Sequence, residues 1–261
     1  IDGKNGVEFQ PYTRLPHAEV VSLLTAPELA RSVLRELIEE MQRRNAFFGQ
    51  KGVRQISEYR KFGDMPRILL VVDEYQMLFE DDKDGAGSAD LRLLSEQGRN
   101  VGIHILLASQ RFGAAGMLGQ TAIFGNIHLR MAMKMTEGDV RALTEFQAKG
   151  KALISATCDL PGKIVVNDQA GDDTANLAGK VAWLSLERRN TLLKDLVDKA
   201  ALAPRDSLPR TVVFNGNAQP AIVDNPPARA LLDLPAWFTP KELSDHARKP
   251  ADHGGLGIDD W

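Results

Sequence analysis

Two apolar periods alternate along the chain, and each change of period marks an element. Leu29, Val33, Leu37 and Met41 recur every four residues while Arg31, Arg35, Glu39 and Arg43 take other faces, which predicts a helix half-buried against a sheet. Thr25 with Glu28 has capping-box spacing and Pro27 suits a first turn, so this helix is expected to start there and end near residues 48–49. The continuous apolar run of residues 67–74, closed by Asp73 and Glu74, predicts a strand covered on both faces, as in parallel sheets. A polar segment at 80–88 and a helix over about 89–98 lead to a second such strand at 103–108, and a third is expected at 127–133. Strand, helix and strand at this spacing imply a mostly parallel α/β sheet flanked by helices. Residues 152–155 and 163–166 flank Asp159-Leu160-Pro161-Gly162 and read as a hairpin, and 186–201 reads as a helix. Prolines then multiply, so residues 1–203 form the expected core and 204–261 a tail or linker to a further module.

With 261 residues, 43% of them apolar and 26% charged, the chain can bury a sizeable core, which excludes a disordered or fibrous class. Its apolar runs are far shorter than the ~20 residues a bilayer span requires. The single cysteine, Cys158, leaves no internal disulfide and no CxxC zinc site, which points to a reducing compartment. A net charge of −3 excludes a chain-wide basic surface, so nucleic-acid contact would have to come from a local loop or from assembly. The chain opens on Ile1-Asp2 without Met or a secretory leader, which reads as a cytoplasmic fragment, any membrane association being left to regions outside it.

Chemistry concentrates at strand ends. An apolar strand that delivers Asp73-Glu74 at its carboxyl edge has the Walker B pattern of P-loop ATPases, in which Asp73 would assist Mg²⁺ and Glu74 would activate water; the alternative is that the pair merely caps the next helix. The neighbouring strand ends in Ser109, Gln110 and Arg111, with Gln110 suited to sense a terminal phosphate or the attacking water, or else these residues form a solvated turn. The phosphate-binding pattern G-x-x-x-x-G-K-[ST] is absent: the Gly-Lys pairs at Gly3-Lys4, Gly150-Lys151, Gly162-Lys163 and Gly179-Lys180 are followed by Asn5, Ala152, Ile164 and Val181.

An ordered series of stretches carries a resemblance. Ile1-Asp2-Gly3-Lys4, Leu15-Pro16-His17, Glu40-Met41-Gln42-Arg43-Arg44, Gly52-Val53-Arg54, residues 65–75, Gln97-Gly98-Arg99 with Gly102-Ile103-His104, residues 107–111 and Asn126-Ile127-His128-Leu129-Arg130 make residues 1–184 resemble the motor domain of the FtsK/SpoIIIE family. The resemblance implies a RecA-like P-loop NTPase core, N-terminally incomplete, that hydrolyses Mg²⁺-ATP in a hexameric ring and moves double-stranded DNA through it. It also implies that Arg99 and Arg130 are candidates to reach a neighbour's nucleotide, unless they brace the sheet edge, and that Arg111 is a candidate to begin a pore loop. In the family, the segment like Ile1-Asp2-Gly3-Lys4 follows the phosphate loop and its helix, so this chain alone is expected not to turn over ATP. The loop at 112–120 is glycine-rich, with Arg111 its flanking cation, which keeps open a protein-secretion motor of the type VII kind; a catalytically silent interaction module is the third reading.

Overall fold

Two apolar runs, residues 68–73 and 103–108, set the architecture, and only part of each is buried: Leu69 is 63% and Leu106 47% exposed, so the expected cover on both faces is incomplete among the described residues. The structure is a computed structural model and describes residues 1–4, 6–80, 82–110, 121–204, 208–209 and 211–216. The chain divides into units Ile1–Gly216 and Asn217–Trp261, and the second lies outside the described residues. In chain order the elements are β1 (Val20–Leu23), α1 (Pro27–Lys51), α2 (Ile56–Tyr59), β2 (Ile68–Asp73), α3 (Ala86–Val101), β3 (Ile103–Ala108), α4 (Thr121–Gly125), β4 (Arg130–Ala132), α5 (Glu137–Ala142), α6 (Ala148–Thr157), β5 (Lys163–Asn167), β6 (Asn176–Lys180), α7 (Leu186–Ala200) and β7 (Val212–Asn215).

The predicted runs pair with each other. β2 and β3 are parallel and in register from Ile68 opposite Ile103 to Asp73 opposite Ala108, so both end at one edge. β1 is parallel to β7, with Val20 opposite Val212 and Leu23 opposite Asn215. Residues 1–3 link the two pairs through main-chain bonds. Asp2 N–H donates to Ser22 at 2.9 Å, Asp73 N–H donates to Ile1 at 2.9 Å, and Asp2 forms a parallel bridge with Asp73. Parallel α/β architecture is therefore present, but the expected third strand departs from it. β4 runs antiparallel to β5, and β5 antiparallel to β6, so these three make a separate sheet.

One apolar core lies between α1, α3 and the β2–β3 pair. It includes Leu34, Ile38, Met41 and Phe48 of α1, Leu70 and Val72 of β2, Leu91, Leu94 and Val101 of α3, and Ile103 of β3. The α1 stripe is rotated by one residue from the expected one: Ala30, Leu34 and Ile38 are buried, while Val33 and Leu37 pack half-buried beside them. Arg44, also buried, fastens α1 to the segment before β2 and to the end of α3, its guanidinium donating to Glu40 at 2.6 Å and to the carbonyls of Pro66 and Val101 at 2.9 Å each. A second cluster, with Val140, Phe146, Ile154, Cys158 and Val165, lies under the antiparallel sheet.

Three local expectations are corrected. Thr25 does not cap α1, because its hydroxyl donates to the Asp2 carbonyl at 2.9 Å, and the N-cap residue is Ala26. Helix α3 starts earlier, at Ala86, because Asp82 in the acidic loop accepts from Gly87 N and Ser88 N at 2.9 Å each. Residues 152–155 lie inside helix α6, whose first-turn amides of Lys149 and Gly150 donate to Asp173, and the hairpin is β5–β6 instead.

Candidate functional site

At the end of β2 the chain leaves the sheet through Glu74, whose φ of 52° lies in the left-handed region, and enters a 3₁₀ turn over Tyr75–Phe79. Tyr75, fully buried, anchors that turn edge-on against Phe79 and Phe124, with ring centroids 6.3 and 5.6 Å away. Register between β2 and β3 does the rest. Since Asp73 is opposite Ala108, the next residues on each strand, Glu74 and Ser109 with Gln110, meet at the shared carboxyl edge.

The Glu74 carboxylate is buried and heavily coordinated. It accepts from the Gln76 side-chain amide at 2.7 Å, the Gln110 backbone N–H at 3.4 Å and the Ser109 hydroxyl at 3.5 Å. Lys4 stands 3.6 Å from its other oxygen and donates to the Gln110 side-chain oxygen at 3.1 Å. Burial alone would push the Glu74 carboxyl up, but the bonds from Gln76 and Gln110 and the charge of Lys4 outweigh it and hold the group below its usual value. The acid is thus ionised at neutral pH.

Asp73, on the strand itself, behaves in the opposite way. Burial raises its pKa first, and the charges of Glu74, Asp2 and Glu8 raise it further, against a lowering bond from the Glu74 backbone. Beside it, Asp2 is 1% exposed, and its Oδ2 is buried without a hydrogen-bond partner. An acid group crowded by like charge and an unsatisfied neighbouring oxygen suit a nearby divalent cation. No cluster of three or more His, Cys, Asp or Glu able to hold a metal occurs among the described residues.

These groups open on a cavity of about 300 Å³ lined by Gly3, Lys4, Glu74, Gln76, Glu80 and Gln110 among others. Gly3 is required there. A Cβ at this position would drive into the Met77 sulfur and come within 2.9 Å of the Asp73 carbonyl oxygen.

The remaining sequence candidates lie elsewhere. Arg99 is exposed in the last turn of α3, at the start of β3. The six residues of β3 place it at the sheet end opposite Gln110, about 20 Å away at ~3.3 Å per residue. Arg130 spends its guanidinium on main-chain carbonyls, donating to Glu145, to Phe124 at 3.1 Å and to Ile127 at 3.4 Å. Arg111 and the loop at 112–120 lie outside the described residues. Lys4 and Gln76 were not legible as site residues. A cue for Lys4 was its place in a Gly-Lys pair, but what brings it to Glu74 is the bridge between Asp2 and Asp73, which no local pattern announces.

Residues 1–67 match the model of the FtsK/SpoIIIE family. Among curated proteins, the DNA translocase SftA of Bacillus subtilis is 28% identical over 155 residues, covering 56% of this chain and 16% of that protein. The DNA translocase FtsK of Streptococcus pyogenes is 29% identical over 160 residues, covering 56% of this chain and 20% of that one. The chain therefore spans a fifth or less of the length of these relatives. In fold it is similar to the cytoplasmic domain of the Type VII Secretion ATPase EccC of Thermomonospora curvata, with a TM-score of 0.59 and 20% identity over 75% of this chain and 23% of that one. The α/β fold of that ATPase domain is thus the fold of this chain. No helix among the described residues is long and apolar enough to cross a membrane.

Proposed function

This chain is a relative of the FtsK/SpoIIIE family, and from that premise we propose that it is part of an ATP-driven motor that moves double-stranded DNA through a hexameric ring, in the cytoplasm.

ATP and Mg²⁺ are the implied substrate and ion. The observation that carries this reading is the ionised, buried Glu74 carboxylate held beside Gln110 and Ser109 where two parallel strands end.

The chemistry follows from that placement. Glu74 takes a proton from a water molecule while the water oxygen bonds to the terminal phosphorus of ATP, and the bond from that phosphorus to the bridging oxygen breaks, leaving ADP and phosphate. Ser109 and Gln110 border the phosphoryl group. Asp73 would help hold Mg²⁺, and the ion would supply charge to offset that of the phosphate oxygens. The G-x-x-x-x-G-K-[ST] loop is not within these 261 residues, so turnover requires one from outside them. Arg99, far from the Glu74 of its own chain, is the cation we assign to a neighbouring subunit's nucleotide; Arg130 is the alternative.

The test is ATP turnover by the full-length protein. Duplex DNA is expected to stimulate it, with an effect that fades as salt rises. A second reading rests on the glycine-rich composition of residues 112–120, and it predicts stimulation by a secreted peptide in place of DNA. Turnover indifferent to both, or none at all, would overturn the motor assignment.

A further inference from the structure

We propose that Lys4 is a positioning residue of this site, one that orients Gln110 toward the terminal phosphoryl group of a nucleoside triphosphate and holds Glu74 to the same cavity. The inference rests on the hydrolytic reading above and adds a residue to it.

The sequence places Lys4 by main-chain geometry. Residues 1–3 are pinned between β1 and β2, and Gly3, having no side chain, lets them approach Met77 and the Asp73 carbonyl. The Asp2 carboxylate then accepts from the Lys4 backbone N–H at 3.0 Å and fixes the turn that follows. From that turn the side chain reaches a residue 106 positions later, donating to Gln110 Oε1 at 3.1 Å, with Glu74 Oε1 3.6 Å away.

This contact decides what Gln110 can do. A side-chain amide has one accepting end and one donating end. With Oε1 engaged by Lys4, Nε2 is the end available to the cavity, so Gln110 acts as a donor to an anion. One of the three ammonium donors serves Gln110, while the charge stands 3.6 Å from Glu74 Oε1 as an ion pair. Among the described residues lining the cavity, Lys4 carries the one positive charge, against the carboxylates of Glu74 and Glu80. Removing it leaves an acidic cavity and an amide free to turn its oxygen toward the phosphates, where it would repel them.

The experiment compares Lys4→Met, Lys4→Arg and Glu74→Gln in the full-length protein, with kcat, KM for ATP and the melting temperature measured for each. Lys4→Met is expected to lower kcat by about tenfold or more with KM within about threefold, and Lys4→Arg to restore most of the loss. Unchanged kcat in Lys4→Met, or a raised KM alone, would overturn the proposal. If Lys4→Met melts early, Lys4→Arg decides: a restored fold without restored kcat also overturns it. Normal turnover in Glu74→Gln would sink the hydrolytic reading itself, an outcome separate from the Lys4 result.

Discussion

The Gln76 side-chain amide donates to Glu74 at 2.7 Å, so the proposed base is gripped by a residue two positions along its own turn. Replacing Glu74 by Gln keeps the shape and an oxygen that can accept this bond, but removes the charge that takes the proton. Glu74→Gln should therefore leave nucleotide binding intact while turnover in the full-length protein falls by roughly 10²–10⁴-fold. Equilibrium binding of labelled ATP beside steady-state kinetics checks both halves.

The two arginines should separate cleanly. Arg130→Ala strands three main-chain carbonyls that its guanidinium serves, and should cost about 2–4 kcal/mol in urea unfolding. Arg99, exposed at the end of α3, should leave the melting temperature unchanged on replacement by Ala, yet lower ATP turnover in the assembled protein. Mixed assemblies of Arg99→Ala and Glu74→Gln subunits would regain turnover wherever an intact Arg99 meets an intact Glu74 of the neighbour.

Gly3→Ala should destabilise the fold by about 1–3 kcal/mol, the usual effect of overpacking. The added methyl meets the Met77 sulfur and the Asp73 carbonyl, and the carbonyl belongs to a strand that cannot move aside. Unfolding by urea, with Gly63→Ala as a control in open space, reads the difference.

Asp82 offers a pH-dependent check. Burial raises its pKa, but bonds from Gly87 and Ser88 and the Arg31 charge outweigh this and lower it. A carboxyl depressed in the folded state adds stability above its unfolded pKa of about 3.9, and that stability is lost as pH falls through the lower folded value. Asp82→Ala should therefore cost about 1 kcal/mol at pH 7, as loss of a helix cap does, and less at pH 3.

What could be read in the sequence follows from how local each cause is. β3 spans the expected residues and β2 all but the outermost ones, because an unbroken apolar run between breakers leaves the chain few alternatives. The stretch 152–155 misled because four residues are too few to distinguish periods of 2 and 3.6, and because Asp173, which receives the first-turn amides of α6, lies far along the chain. The acid and the amide of the site were legible as polar residues closing apolar strands. Lys4 was not, since its position depends on pairing between Asp2 and Asp73 across 71 positions of sequence.

Glu74 sits at φ 52°, where glycine or asparagine rests at little cost and other residues are penalised by about 1–2 kcal/mol. In a lineage released from the need for a base, mutation would therefore drift position 74 toward those two residues. The backbone at position 74 thus favours those two residues over the glutamate that stands there.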